Sequence, residues 1–436
     1  MAGRKATATS SFGVGKRESH DASAFYARFE APVVSGDEAV HPEKAIDRIL
    51  CGDSRRMAEV PDASVALVVT SPPYFAGKDY ETELGKGAVP KDYLDFLRML
   101  EDVFAECVRT LEPGGRIAVN VANLGRKPYR SLAADVTSIL QDRLRLLLRG
   151  EVVWAKARGA GGSCAWGSFR SPSNPVLRDL TERVVVASKG RFDRAITRKD
   201  RARLGLPHVA TVTADEFMEA TTDVWEIPSE RASRVGHPAP FPVELPERLI
   251  HLHTYVGDLV LDPFMGAGTT AVAAARAGRH YVGYDTDPDY VTAAASRVAG
   301  VGVQPAGAGE AAVDAAQAAL EATGWRDVTR PRGTRDLVAT DRAGRRWRVL
   351  VGGGRTVARP GLRRLEEAWR VISAASAAGA SGVPVVVITP ALPPPSSPAH
   401  PVLEALTGAG RPVAAVIELD SPAAGSTLRD LAGGGT

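Results

Sequence analysis

The sequence predicts an α/β protein built on a parallel sheet, followed by a second, smaller α/β unit. Three observations carry this. From about Ala45 to residue 300, short apolar runs alternate with stretches of helical period, as a parallel sheet with crossover helices requires. The stretch 299–308, Ala-Gly-Val-Gly-Val-Gln-Pro-Ala-Gly-Ala, reads as a linker, with 301–308 as its core. Beyond it the element order becomes α-β-β-β-α-β. The 436 residues suit two or three domains at roughly 100–200 residues each.

Residues 1–43 are polar, carry charges of both signs and keep no sustained period, so a flexible arm is expected there. Within it, 19–26 (Ser-His-Asp-Ala-Ser-Ala-Phe-Tyr) is read as a short docking helix. The main domain is expected over 44–300. Its strands are Ile46–Leu50, Val65–Val69, Ile117–Val121, Glu151–Trp154, Val184–Ala187, Leu259–Leu261 and Tyr281–Tyr284. Helices are predicted over 91–111, closed by Pro113-Gly114-Gly115, and over 131–147, 269–277 and 288–298. The segment 189–235 is charged and weakly periodic. The small domain, 309–436, opens with an Ala-rich helix (309–323). Strands follow near 325–330, 335–340 and 345–351, then a helix at 361–378. A strand at Val385–Ile388, a Pro-rich loop, a short helix and a strand at Val413–Ile417 complete it.

Composition excludes several classes. Apolar residues make up 44% and charged residues 24%, which excludes a wholly disordered chain, a collagen-like fibre and a small disulfide scaffold. Cys51, Cys107 and Cys164 are too scattered for a disulfide framework or a CxxC metal site, so no metal is expected. No apolar run approaches the roughly 18 residues of a spanning helix. Arg4 and Lys5 are not followed by the apolar segment of a signal peptide. A cytoplasmic protein without a membrane partner is the expectation.

Two segments carry the chemistry. The first is Leu259-Val260-Leu261-Asp262-Pro263-Phe264-Met265-Gly266-Ala267-Gly268-Thr269-Thr270, a strand, a glycine turn and a helix start. Gly266 and Gly268 permit close backbone approach to a ligand. Asp285 ends the next strand about twenty residues on, where a carboxylate suits ribose hydroxyls. Ala271 replaces the third glycine of GxGxxG, and Asp262 would repel a phosphate, so a nicotinamide dinucleotide is disfavoured. An acid beside this loop suits a ligand with an α-amino group and a sulfonium. The second segment, Ser71-Pro72-Pro73-Tyr74, ends the buried run Val65–Val69. Ligands of open α/β sheets bind at that edge. The prolines fix the backbone, its carbonyls and Ser71 can accept from an exocyclic amine, and Tyr74 offers a stacking face.

Together the two segments resemble the amino-methylating DNA methyltransferases that use S-adenosylmethionine. The catalytic motif precedes the cofactor loop, which is similar to the circularly permuted order of the beta class. Gly52-Asp53-Ser54, His237-Pro238-Ala239-Pro240-Phe241-Pro242 and Tyr281–Asp285 fall in matching order, and the resemblance covers roughly 45–300. It implies a Rossmann-like, seven-stranded methyltransferase sheet. It also implies residue roles. Asp262 and the Gly266–Gly268 backbone hold the methionine part of the cofactor, with Pro263, Thr269 and Thr270 completing that loop. Asp285 takes the ribose and Asp53 lies near the adenine amine. Phe264, His237, Pro238 and Phe241 line the pocket. Ser71 and the Pro72 carbonyl orient the target amine, with Pro73 and Tyr74, which stacks on the flipped base. No Pro-Cys pair occurs, which argues against cytosine-C5 chemistry. In the family a Ser at the first motif position leans towards cytosine-N4. The stretches Ala165–Pro172 and Asn174–Asp179 resemble members of N4 or unassigned specificity. Adenine-N6 methylation, a non-catalytic DNA-binding subunit, and methylation of RNA or a protein amide stay open as alternatives.

The net charge is only +3, yet it hides basic segments. Lys189, Arg191, Arg194, Arg198, Lys199, Arg201 and Arg203 against Asp193 and Asp200 leave +5 over 189–203. They fall in the expected target-recognition region, 157–235, and are read as contacts to double-stranded DNA. From Arg326 to Arg364, twelve arginines against three aspartates leave +9. The small domain resembles restriction-endonuclease-like domains, with Asp336 as first acid. Leu350 and Gly352 stand where Glu and Lys would be, so cleavage is expected to be lost and DNA binding kept. A restriction-modification or phage-defence setting, with a cognate endonuclease or defence proteins as partners, and a monomer or homodimer, complete the expectations.

Overall fold

Val65–Thr70 is β2, the strand from which the architecture follows: all six residues are buried. Val65 and Val68 pack into one apolar cluster, while Leu67 and Val69 pack into another on the opposite face. Such continuous apolar runs belong to sheets covered on both sides. In the computed structural model the described residues are 34–41, 47–74, 92–123, 129–156, 167–177, 180–229, 241–302, 312–332, 334–354, 360–380 and 382–433. The arm before 34, its expected helix at 19–26, and His237 and Pro238 lie outside them.

The first unit runs β1 (Arg48–Cys51), β2, α1 (Tyr93–Thr110), β3 (Leu111–Val121), α2 (Leu132–Ser138), β4 (Leu147–Ala155), β5 (Thr181–Ser188) and α3 (Arg198–Arg203). It continues through α4 (Ala214–Ala220), β6 (Val224–Glu226), α5 (Glu244–His253), β7 (Leu259–Asp262), α6 (Thr269–Arg276), β8 (His280–Asp285) and α7 (Pro288–Ala299). The sheet order is β1-β8-β7-β2-β3-β5-β4-β6. Only β5 runs against its neighbours. The expected seven strands are there, and three-residue β6 adds an eighth at the edge beside β4. The helix α1 forms because Phe96, Leu100, Val103, Phe104 and Cys107 share one buried face, and Asp92 caps its first turn from Leu94 N and Asp95 N. Helices α1 and α2 cover one face of the sheet, α5 and α6 the other.

Two sequence expectations need correction. Pro113-Gly114-Gly115 does not separate α1 from a later strand, because β3 already begins at Leu111 and carries these residues as a bulge. Gly114 sits at φ +77° against the Asp193 carbonyl, leaving no room for a Cβ. The helix expected over 131–147 ends early: after α2 it widens into a π-turn at Ile139–Arg143, and Leu147 already belongs to β4.

The second unit runs α8 (Ala312–Ala322), β9 (Arg326–Thr329), β10 (Leu337–Thr340), β11 (Arg346–Val351), α9 (Leu365–Ala380), β12 (Val385–Thr389), α10 (Ala399–Ala405), β13 (Val413–Glu418) and α11 (Ala424–Ala432). Its sheet order is β13-β12-β11-β10-β9, with β9 to β11 antiparallel and β11 to β13 parallel. Trp325 and Trp347 meet edge to face at 5.4 Å inside it. Asp215 on α4 accepts from the Ala312 backbone N–H at 3.0 Å, and Glu219 pairs with Arg364 at 2.6 Å, so α4 is where the two units touch.

Candidate active site

The carboxyl ends of β1, β8, β7, β2 and β3 share one edge, because these strands are parallel. That edge collects Asp53 after β1, Asp285 at the end of β8, the glycine loop after β7 and Ser71–Tyr74 after β2. Strands β2 and β7 are direct neighbours, with Leu67 opposite Val260 and Val68 opposite Leu261. Residues about 190 apart in sequence are therefore adjacent. Thr70 Oγ1 donates to Asp262 Oδ1 at 2.6 Å, tying the two motifs together.

Asp262 is buried, and its carboxylate accepts from Thr70, from Thr270 Oγ1 at 2.7 Å and from the Phe264 backbone N–H at 3.1 Å. Burial pushes its pKa up to about 6, against the lowering effect of those donors. Thr269 and Thr270 are likewise buried, and Thr269 Oγ1 accepts from Arg297 at 3.0 Å. The Asp262, Thr269 and Thr270 side chains thus brace the glycine loop through buried hydrogen bonds. Gly268 has φ +80°, and a Cβ on it would lie 2.8 Å from Ala294 Cβ, so this glycine is required by helix packing.

Asp285 is held for outward use. Its Oδ2 accepts from Gly266 N at 2.9 Å and its Oδ1 from Asp287 N at 2.9 Å, which leaves lone pairs for further donors. Burial raises its pKa, while the backbone donors work the other way. Asp53 is half-exposed and forms a two-pronged pair with Arg55, which lowers its pKa. Phe264 is half-buried beside them, and Phe241 packs on the other face of the sheet. Acids line the edge around the loop and the cation Arg55 is taken by Asp53. This donor set fits a ligand with hydroxyl groups and a cationic end, and is unfavourable for a phosphate.

At the other motif, Pro72 is buried while Ser71 and Tyr74 are half-buried. Ser71 Oγ lies 2.9 Å from Tyr74 Oη and donates to the Asn120 carbonyl at 3.1 Å. Tyr74 donates to Glu182 Oε2 at 2.9 Å. Asn120 Nδ2 donates to Tyr74 Oη at 3.1 Å and to Glu182, and Lys156 pairs with Glu182 from outside. Asn120 Oδ1 is buried with no hydrogen-bond partner among the described residues. Sequence reasoning missed Asn120, Lys156 and Glu182. The only signal was position: Asn120 is the last residue but one of β3, Lys156 directly follows β4, and Glu182 is the second residue of β5.

The basic segment lies away from this site. Strand β5 runs antiparallel, so residues 189–203, which follow it, lie at the opposite edge from Ser71. Arg201 is buried and Arg194 nearly so, and both pair with Glu112 and Asp258. Burial opposes the Arg194 charge, but Asp258 and Glu112 more than offset it and its pKa rises. Lys189 donates to the Leu111 carbonyl at 2.6 Å, Arg191 pairs with Glu38, and Arg198 donates to the His208 carbonyl. Arg203 pairs with Asp200, and Lys199 is exposed. Arg194 and Arg201 are thus committed to internal ion pairs, and Lys199 and Arg203 are exposed at an edge away from Ser71. Reversing Lys199 and Arg203 to Glu should therefore change DNA affinity by less than about twofold and leave its salt dependence unchanged. A salt titration of binding checks this, and a reduced slope would restore the sequence reading.

The family model described as DNA methylase matches residues 65–296, from β2 to α7. The chain belongs to this DNA methylase family. S-adenosylmethionine is the methyl donor that this family uses. The type II methyltransferase M.MthZI of Methanothermobacter thermautotrophicus is 30% identical over 278 residues, 58% of this chain and 77% of that protein. M.MjaI of Methanocaldococcus jannaschii is 28% identical over 273 residues, 55% of this chain and 87% of that protein. A Thermus thermophilus protein assigned as a DNA modification methylase, solved with S-adenosyl-L-methionine, shares 31% identity at a TM-score of 0.44. It covers 60% of this chain and all of that one. Among the described residues, no helix of this DNA methylase is long and apolar enough to cross a membrane.

Proposed function

We propose that this DNA methylase transfers a methyl group to the exocyclic amine of a base flipped out of duplex DNA, cytosine-N4 in first place and adenine-N6 in second. The observation that carries the reading is the adjacency of β2 and β7, which brings Ser71–Tyr74 beside the glycine loop on one edge. S-adenosylmethionine supplies an electrophilic methyl on a sulfonium when bound. Asp285 binds the ribose hydroxyls, Gly266 to Gly268 and Phe264 shape the seat, and Asp53 stands at the adenine end.

A target amine conjugated with its ring has a poorly available lone pair. Hydrogen bonds from that amine to Ser71 Oγ and the Pro72 carbonyl favour a tetrahedral nitrogen with its lone pair aimed at the methyl. Tyr74 stacks on the base and holds the angle, so catalysis is mainly positioning. Leaving the duplex costs the base a few kcal/mol. Ser71 as the first motif residue is what favours cytosine-N4.

Target recognition is assigned to the catalytic-edge part of 157–235, chiefly the connection from β4 to β5. Its described portion folds back through a Gly167–Pro175 bridge and exposes Phe169, Arg170 and Leu177. The second unit is read as a nuclease-like fold without cleavage. Leu350 is fully buried, Gly352 is packed against Leu362, and the Asp336 carboxylate faces Arg348 at 3.2 Å and Arg370 at 3.6 Å. Metal-dependent nicking by the purified chain would overturn that part. A restriction-modification setting, with a cognate endonuclease as partner, follows from the same reading. The test of the main claim is to incubate the chain with methyl-labelled S-adenosylmethionine and duplex DNA, then identify the labelled nucleoside by mass spectrometry. N4-methylcytosine is expected. N6-methyladenine would move the assignment to the second base, and label on neither would overturn it.

A further inference from the structure

The hydrogen-bond chain behind Ser71 has a direction, and one buried carboxylate sets it. That direction matters because Ser71 is the group proposed above to receive the target amine. Glu182 stands at the start of β5 on the catalytic edge, 5% exposed, with Lys156 against its other oxygen. A carboxylate held by an ammonium only accepts hydrogen bonds. Tyr74 therefore gives its single hydroxyl proton to Glu182. Asn120 must turn its Nδ2 towards Glu182 and Tyr74 as well, which fixes the orientation of that amide. With the Tyr74 proton committed, the single Ser71 proton can only be given inward, to Tyr74 Oη at 2.9 Å or to the Asn120 carbonyl at 3.1 Å. Both draw the serine proton inward, so Ser71 presents lone pairs to whatever enters the site. An exocyclic amine is an N–H donor and needs that polarity.

We propose that Glu182, balanced by Lys156, is a positioning residue that fixes Ser71 as a hydrogen-bond acceptor for the target amine. It touches no reacting atom and acts through Tyr74. In Glu182→Gln the new amide can donate to Tyr74 Oη. The tyrosine proton is then free to point at Ser71 and occupy one of its lone pairs, which leaves the Asn120 carbonyl alone to hold the serine proton inward.

The test is a single-turnover methyl-transfer assay on duplex DNA, with S-adenosylmethionine affinity measured in parallel. Glu182→Gln is expected to slow transfer by about tenfold or more while changing cofactor affinity less than about twofold. Tyr74→Phe removes the hydroxyl through which Glu182 acts, so adding Glu182→Gln to it should cost less than about twofold more. Glu182→Asp, which keeps the charge but retracts the acceptor, should fall between and serves if the amide variant does not fold. Fully additive losses in the double variant, or wild-type transfer by Glu182→Gln, would overturn the inference alone. No transfer by the unaltered chain would overturn the function and this inference together.

Discussion

Replacing Asp258 by Ala should destabilise the methylase by about 3–5 kcal/mol, the cost of leaving buried guanidinium charge without its partner. Asp258 accepts from Arg194 at 3.0 Å, from Arg201 at 2.9 Å and from the Tyr255 backbone N–H at 2.7 Å. Both guanidinium groups also lie over the Tyr255 ring, at 5.5 and 5.3 Å. Glu112 alone cannot balance two cations that are this well buried. The cluster joins the start of β3, the start of β7 and the loop after β5. Its loss should loosen the sheet edge opposite the catalytic one. Asp258→Asn keeps an acceptor for Tyr255 N and one guanidinium and should cost clearly less. Urea denaturation of the three proteins checks the order. A difference under about 1 kcal/mol for the Ala variant would mean that the cluster is hydrated and the arginines free to leave it.

Asp285→Ala should weaken S-adenosylmethionine binding by about a hundredfold. Two hydrogen bonds from ribose hydroxyls to a carboxylate are each worth about 1.5–3 kcal/mol, and even the low end of that pair reaches this factor. Part of the effect belongs to the loop, because Asp285 also fixes Gly266 N. Asp285→Asn separates the two: it keeps an oxygen for Gly266 but loses the charge, so a loss of about tenfold is expected. The sign of the pH dependence follows from the direction of the shift. Burial raises the Asp285 pKa, so the carboxylate takes up its proton at higher pH than an exposed one. Cofactor affinity should then fall as pH drops through that value, and the acid limb should vanish in Asp285→Asn. Isothermal titration from pH 8 downward reads both. Unchanged affinity in the Ala variant would remove Asp285 from the ribose site.

Much of this fold was legible because its central strands are apolar on both faces. The runs at 65–70, 259–262 and 280–285 could be little else than inner strands, and their glycine and proline punctuation marked the edge that carries chemistry. The site motifs were legible for the same reason: each is a contiguous segment. What sequence could not show was pairing across distance. Seven cations between 189 and 203 looked like a DNA-binding surface, since Glu112 and Asp258, the partners of Arg194 and Arg201, lie about 60 to 90 residues away. A local charge balance counts charges and is blind to who neutralises them. Glu182 was invisible for a related cause, as its meaning comes from Tyr74 after β2 and Asn120 on β3. The hold that Thr70 and Thr270 have on Asp262 was hidden for the same reason, since Thr70 lies on another strand. The final helix, 424–432, and the short α3, α4 and β6 went unmarked because too few residues repeat a period there.

The most direct test of the central claim is single-molecule sequencing of DNA from cells that express the chain, beside cells that express Pro72→Ala. Pro72 is buried at the end of β2 and fixes the carbonyl proposed to accept the target amine. The account predicts a new modified cytosine at one recurring sequence, carried by its exocyclic amine and lost in the variant. No new modification, or the same modification with Pro72→Ala, would contradict it.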